Sequence, residues 1–241
     1  MTSRTPGVSA HSLVPLLFPS PLFSFRQGWA ACDLNPYEYH PERGLYFHLI
    51  ADGLICGSQP QTVDDIVALH EQGVTGILSL QQPKDLAYWG VDGDALFAKA
   101  AELGVEYVRV GAVDFDADSL RTILPNAVRE LERLRQLGGD DGKTYVHCTA
   151  GLGRAPAVII AWLYWCTSMD LDEAYAHLTS IRPCGPKGEA IRGATFDVLD
   201  DRHAHEFVHL PADAWRYLSA ADRAVIAQRL GFFDLAAASL N

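Results

Sequence analysis

One stretch constrains this chain more than any other: Tyr145-Val146-His147-Cys148-Thr149-Ala150-Gly151-Leu152-Gly153-Arg154-Ala155-Pro156. It reads as a short strand, Lys143 to His147, that ends on a cysteine and turns through a glycine-containing loop. A strongly apolar helix, Arg154 to Cys166, follows and is opened by an arginine. A loop wound onto a helix N-terminus aims several backbone N–H groups at one point, and the helix dipole adds positive potential there. Gly151 and Gly153 let the backbone bend and approach a ligand without a Cβ clash. The same field is expected to favour the thiolate form of Cys148 and so make it the nucleophile. Arg154 offers two parallel N–H donors to phosphate oxygens, a fork that lysine lacks. The loop Thr149, Ala150, Gly151, Leu152 and Gly153 is therefore the expected phosphate seat. A buried structural cysteine in such a turn would need neither the glycines nor the arginine.

The flanking pattern sets the fold class. Tyr46 to Ile50 and Leu54 to Cys56 read as strands about the turn Ala51-Asp52-Gly53, and Thr62 caps a helix with apolar Ile66, Val67 and Leu69. Val74 to Leu80 is a buried strand, and Gln81 to Gly93 a loop. A helix over Ala95 to Leu103, a strand over Val105 to Val110 and an acidic loop over Gly111 to Ser119 follow. Leu120 to Leu137 is a long helix with Pro125 near its first turn, where proline is tolerated. Two more helices span Leu171 to Ile181 and Glu189 to Leu199. Alternating strands and helices predict an α/β fold, with a central, mostly parallel sheet flanked by helices on both faces. A last amphipathic helix carrying Trp215, Leu218, Val225, Ile226 and Leu230 is expected to lie against that domain.

With 241 residues there is room for one medium domain plus extensions. The expected division is 1–32 as a disordered tail or transit peptide, 33–200 as the domain, and 201–241 as the helical extension. A net charge of −11 with no lysine or arginine run disfavours nucleic acid and anionic membranes as partners. A phosphate group must then be held by local features. The five cysteines, Cys32, Cys56, Cys148, Cys166 and Cys184, show no CxxC spacing, which fits free thiols in a reducing compartment. No apolar run reaches membrane-spanning length. Met1 to Ala31 holds no acidic residue and only Arg4 and Arg26 as charges, as transit peptides do. Pro15, Pro19 and Pro21 interrupt its apolar run.

A phosphate ester also needs a proton for its leaving oxygen. The loop Val113-Asp114-Phe115-Asp116-Ala117-Asp118 supplies three carboxylates, and spacing does not choose among them. The implied reaction has two steps. Cys148 attacks phosphorus to form a phosphocysteine while an aspartate protonates the leaving group, and water then releases phosphate with the same aspartate as base. Neither a metal nor another cofactor is needed.

The loop from His147 to Pro156 resembles the signature of the dual-specificity branch of the protein tyrosine phosphatases. The likeness extends from about Asn35 to Asp200, through Asn35-Pro36-Tyr37-Glu38-Tyr39-His40, Leu80-Gln81-Gln82, Tyr88-Trp89-Gly90-Val91-Asp92, Asp114-Phe115-Asp116, Pro186-Lys187, Ala190-Ile191-Arg192 and Ala194-Thr195. In these segments the chain is similar to the plant and algal glucan phosphatases of the starch-excess-four and like-sex-four-two group. The tail Leu210-Pro211-Ala212-Asp213-Ala214-Trp215 is most like the latter. The resemblance implies a tyrosine-phosphatase-like fold and Asp114 as general acid. It also implies an aromatic channel of Tyr37, Tyr39, Trp89 and Phe115, with Leu152 helping to orient glucan. Flat rings suit the C–H faces of sugars, although without the resemblance each ring reads as core. The implied partner is phosphorylated starch or an amylopectin-type glucan. The implied state is a monomer in the chloroplast, or in the cytosol of an alga that stores starch there, and the tail suggests preference for the C3 phosphate.

Two positions depart from related patterns. Ala155 stands where most protein phosphatases of this branch have Ser or Thr, and the starch phosphatases share the alanine, so turnover on small substrates is expected to be slow. Ser79 stands where starch-excess-four has the cysteine of a regulatory disulfide, so that bridge is absent and Cys56 is the alternative partner. Two other functions fit parts of the sequence: a phosphatase of phosphotyrosine, phosphoserine or phosphothreonine proteins, and an inert starch-binding scaffold. Intact Cys148, Arg154 and Asp114 speak against the second.

Overall fold

The computed structural model describes residues 35–200 and 216–232. Cys32, the acid-free N-terminal segment and the tail Leu210 to Trp215 lie outside them. Five strands form one sheet: β1 (Phe47–Ala51), β2 (Leu54–Gly57), β3 (Val74–Ser79), β4 (Glu106–Arg109) and β5 (Lys143–His147), in the order β1-β2-β5-β3-β4. Only β1 runs antiparallel to its neighbour, being joined to β2 by a tight turn; the β2–β5, β5–β3 and β3–β4 pairs are parallel. β5 is thus central, and the residue after it, Cys148, leaves the sheet at its carboxyl edge.

Side chains alternate across the central strands. Leu54, Cys56, Leu78 and Val146 join one apolar cluster, and Ile55, Ile77 and Tyr145 join the other. Both faces are apolar because both are covered. On one side lie α4 (Ala117–Gly138), α5 (Arg154–Cys166), α6 (Leu171–Ile181) and α7 (Gly188–Asp200); on the other, α1 (Val63–Glu71) and α3 (Gly93–Glu102). The last helix, α8 (Ala220–Arg229), contacts α5 and α7 through Leu218, Ile226 and Leu230.

Two expectations need correction. The segment Gln81 to Gly93 is not all loop, because Pro83–Trp89 forms a short helix, α2. Gln82 caps it, Pro83 fills its first turn, the Asp85 carboxylate accepts the Gln82 N–H at 3.0 Å, and Gly90 in the left-handed region stops it. Its single buried residue, Leu86, gives no hydrophobic period to detect. Pro125 lies in the interior of α4 rather than in its first turn, because Asp116 caps the helix by accepting the Ser119 N–H at 2.9 Å and so starts it at Ala117. The buried side of α4, Leu120, Leu124, Val128, Leu131 and Leu134, holds the helix despite the hydrogen bond that proline removes.

Candidate active site

The loop between β5 and α5 is shaped by what its carbonyls do. His147 Nδ1 bonds the Cys148 oxygen at 3.0 Å, and the Gln59 N–H bonds that of Thr149 at 2.8 Å. Arg182 donates to the oxygens of Ala150 at 2.8 Å and Gly151 at 2.7 Å. The Gly185 N–H bonds the Leu152 oxygen at 2.9 Å, and the Ala157 N–H bonds that of Gly153 at 3.1 Å. A trans peptide points its N–H opposite to its C=O. Drawing successive carbonyls away therefore turns the amides to the opposite side, toward the N-terminus of α5. Gly151 is required here, with φ of +67° and a Cβ position only 2.3 Å from the Gly57 oxygen. Gly153 meets no such demand: a Cβ there would stand in open space.

Cys148 and Arg154 lie at the floor, 4% and 3% exposed. The Arg154 guanidinium is fixed on several sides. Nη1 donates to Asp85 Oδ2 at 2.5 Å and to the Ala112 oxygen at 3.0 Å, and Nη2 to Thr149 Oγ1 at 3.2 Å and Asp114 Oδ2 at 3.0 Å. The three acidic-loop carboxylates thus separate by role. Asp116 is spent on the helix cap, and Asp118 is exposed in the first turn of α4. Asp114 alone of the three reaches the arginine. Behind the loop, His147 is fully buried between the Tyr107 hydroxyl, 2.8 Å from Nε2, and the Cys148 carbonyl. A carbonyl can only accept, so Nδ1 carries the proton and Nε2 accepts from Tyr107. Burial, with help from the Arg154 and Arg109 cations, lowers the His147 pKa to about 4 against the bond to Cys148.

A cleft of about 690 Å³ opens above this floor, lined by the catalytic-loop residues together with Tyr37, Tyr39, Tyr88, Trp89 and Phe115. Tyr88 and Phe115 are 80% and 88% exposed, and Tyr37 and Trp89 are also exposed, which rules out the core reading for these rings. Tyr39 is half-buried. Its ring meets Trp89 edge-on at 4.9 Å between centroids, and its hydroxyl accepts from Gln59 Nε2 at 3.0 Å. Phe115 has φ of +60°, a conformation costly for a bulky residue and concentrated at functional sites. Leu152 lines the cleft while packing partly on the core. Cys56 lies outside the lining; its thiol, pushed up to about 12 by burial, points to the Gly151 oxygen at 3.9 Å. Ser79 is buried and its hydroxyl accepts from the Gln81 N–H at 3.3 Å. Among the described residues no group of three or more His, Cys, Asp or Glu is placed to hold a metal ion, and no helix is long and apolar enough to cross a membrane.

Sequence reasoning missed several cleft residues. Asp85, Tyr88 and Lys187 line it, and the buried pair Gln59 and Gln81 ties Tyr39 to Thr149 from behind, with Gln81 Nε2 donating to Gln59 Oε1 at 2.6 Å and to Thr149 Oγ1 at 3.1 Å. The capping pattern Gln82-Pro83-Lys84-Asp85 was the available signal for Asp85.

Residues 56–190 match the family model of the dual specificity phosphatase catalytic domain. The chain belongs to this family. As a dual specificity phosphatase domain it is 43% identical to the amyloplastic phosphoglucan phosphatase DSP4 of Castanea sativa over 163 residues, covering 67% of this chain and 43% of that protein. It is 30% identical to the chloroplastic phosphoglucan phosphatase LSF1 of Arabidopsis thaliana over 182 residues, covering 74% of this chain and 30% of that protein. The chain thus spans less than half the length of these relatives. Among solved structures, the human tyrosine phosphatase-like serine/threonine/tyrosine-interacting protein shares the fold. It has a TM-score of 0.50 and 20% identity, and the match covers 61% of this chain and 92% of that one.

Proposed function

We propose that this domain hydrolyses phosphate monoesters on a starch-like glucan through a phosphocysteine, with Cys148 as nucleophile, Arg154 as phosphate clamp and Asp114 as general acid and base. The observation that carries the reading is the joining of an inward-facing amide loop to a wall of solvent-exposed rings in one cleft. The loop suits the three equatorial oxygens of a phosphoryl group. The rings Tyr37, Tyr39, Tyr88, Trp89 and Phe115 suit the apolar faces of successive sugars, and the edge-on contacts of Trp89 with Tyr39 and Tyr88 hold part of that wall in place. Both relatives named above are phosphoglucan phosphatases, which supports the same substrate class.

The steps follow from the contacts. A phosphoryl group entering the seat takes Arg154 Nη2 from Asp114, and the freed carboxylate takes up a proton from solvent beside the leaving oxygen. The Cys148 sulfur forms the S–P bond as the P–O bond to the sugar breaks, and the sugar oxygen takes its proton from Asp114. Water then attacks phosphorus, its proton passes to the Asp114 carboxylate, and the P–S bond breaks to return the thiolate and free phosphate. The C3 position is the expected site of attack, on the likeness of the tail to like-sex-four-two. The plastid is the expected location, on the composition of the N-terminal segment and the amyloplastic and chloroplastic names of the relatives.

Incubation with phosphorylated amylopectin, with positional analysis of the phosphate lost, tests the reading. Tyr37→Ala and Trp89→Ala are expected to lose about tenfold or more on the polymer while keeping activity on an aryl phosphate, since each removes a ring contact and no reacting group. Equal loss on both substrates would count against the aromatic wall. Release of phosphate from phosphopeptides with none from phosphoglucan would replace this substrate class by phosphoproteins.

A further inference from the structure

Arg182 follows α6, and its side chain runs to the outer side of the phosphate loop, 1% exposed. Nε donates to the Gly151 oxygen at 2.7 Å, Nη2 to the Ala150 oxygen at 2.8 Å, and Nη1 lies 3.0 Å from His48 Nδ1. The guanidinium carbon is 5.3 Å from the centre of the Tyr46 ring. An arginine only donates, so His48 accepts on Nδ1 and is neutral. Every one of these partners is uncharged, and among the described residues no ion pair involves Arg182. Arg154, by contrast, pairs with Asp85 and Asp114. A guanidinium taken wholly out of water is costly unless an anion balances it, and carbonyl dipoles carry no net charge to do so.

The titratable groups around Arg182 narrow the choice of anion. Cys56 on β2 and Cys184 after α6 feel both Arg182 and Cys148, as does Tyr46 before β1. Burial pushes the Cys56 and Tyr46 groups up to about 12 and the Cys184 thiol up to about 11, so all three stay neutral. Burial likewise raises Tyr145 on β5 well above its ordinary range. Tyr145 also feels Asp65, but that carboxylate is taken up by the Gln61 and Thr62 amides that cap α1. What remains for a guanidinium seated on the Ala150 and Gly151 carbonyls is the sulfur of Cys148, two residues before them, and the phosphoryl group it carries.

We propose that Arg182 is a positioning residue that draws the Ala150 and Gly151 carbonyls outward and supplies the buried counter-charge of the Cys148 thiolate. The proposal rests on the reading of Cys148 as nucleophile. Arg154 grips the substrate from within the cleft, with two carboxylates already on its guanidinium; Arg182 acts from behind the loop, where its charge is spoken for by nothing else described.

The test is alkylation of the full chain by iodoacetamide across about pH 5–9, read on the Cys148 peptide by mass spectrometry. Wild type is compared with Arg182→Gln, which keeps an amide donor and loses the charge, and Arg182→Lys, which keeps the charge and loses the fork. Circular dichroism checks the fold, and Arg182→Met replaces the glutamine variant should that not fold. The neutral variant is expected to raise the midpoint of the alkylation profile by about one pH unit, the low end of what an opposite charge does to an ionisable neighbour, and the lysine variant to stay near wild type. A neutral variant with the wild-type midpoint overturns the proposal, and so does a lysine variant displaced as far as the neutral one. A wild-type midpoint no lower than that of free cysteine, about 8.5, would sink the thiolate reading itself and the proposal with it.

Discussion

The floor and the rim of the cleft bury their side chains to opposite degrees. Cys148, Arg154 and His147 are shut away from water, with the arginine and the histidine hydrogen-bonded on several sides, whereas Phe115 and Tyr88 leave most of their rings in solvent. Chemistry on phosphorus needs donors fixed before the substrate arrives, in a dry site where each bond counts for more. Holding a polymer needs broad apolar faces that stay open until sugars cover them. Asp114 stands at the join, with one oxygen on Arg154 and its neighbour Phe115 turned outward by an unusual backbone angle. On the proposed function, one short loop supplies a group to each of the two regions.

That division predicts which substitutions matter to which substrate. The largest effect is expected for Arg154→Lys, which keeps the charge and removes the fork at the floor. Turnover should fall on the order of 10³-fold on phosphoglucan and aryl phosphate alike, and a loss confined to the polymer would break the contrast. Asp114→Asn should cost about 10²–10³-fold on sugar phosphates, whose leaving oxygen needs a proton. It should cost far less on p-nitrophenyl phosphate, whose leaving group does not.

A smaller effect tests the dryness of the floor. The His147 pKa, about 4 in the folded chain, lies below its ordinary 6.5. Between those values the unfolded chain takes a proton that the folded chain refuses. Stability is therefore untouched above pH 6.5 and falls as the pH drops toward 4, by an amount of order 3 kcal/mol at most. Denaturant titrations of wild type and His147→Gln across that window should show a steeper acid loss in wild type, and parallel curves would mean the histidine is wetter than its packing implies. The smallest expected effect is at the rim. Phe115→Gly relieves a left-handed backbone and should stabilise the fold by about 1 kcal/mol while lowering activity on phosphoglucan. A gain in stability with no loss of polymer activity would show that the strained ring has no part in binding.

The sequence made the floor legible and left much of its support hidden. Cys148, the loop and Arg154 are contiguous, and their strand-to-helix context follows from local rules; α5 and α6 appear with the bounds that the apolar runs predict. The strands β2, β3 and β5 were readable because both sheet faces are buried and apolar runs mark them. By contrast, Asp85 reaches Arg154 across the cleft from a helix too short and polar to show a period. Arg182 lies far along the chain from the carbonyls it holds, and no spacing announces such a contact. For the rings, composition favoured the core. Only the likeness to glucan phosphatases placed them at a binding surface, and it passed over Tyr88, the more exposed neighbour of Trp89.

The carbonyls of the phosphate loop are held by groups from before α1, from β5, from within α5 and from the segment after α6. During synthesis, Cys148 emerges well before Arg182 and Gly185 exist to shape its surroundings. On the proposed function, the nascent chain therefore carries an unshaped loop there, and the surroundings of the nucleophile are assembled only when the last of these segments docks. A half-made or misfolded copy is in this way kept from premature chemistry, and a protein that has lost its fold is silenced at the same stroke.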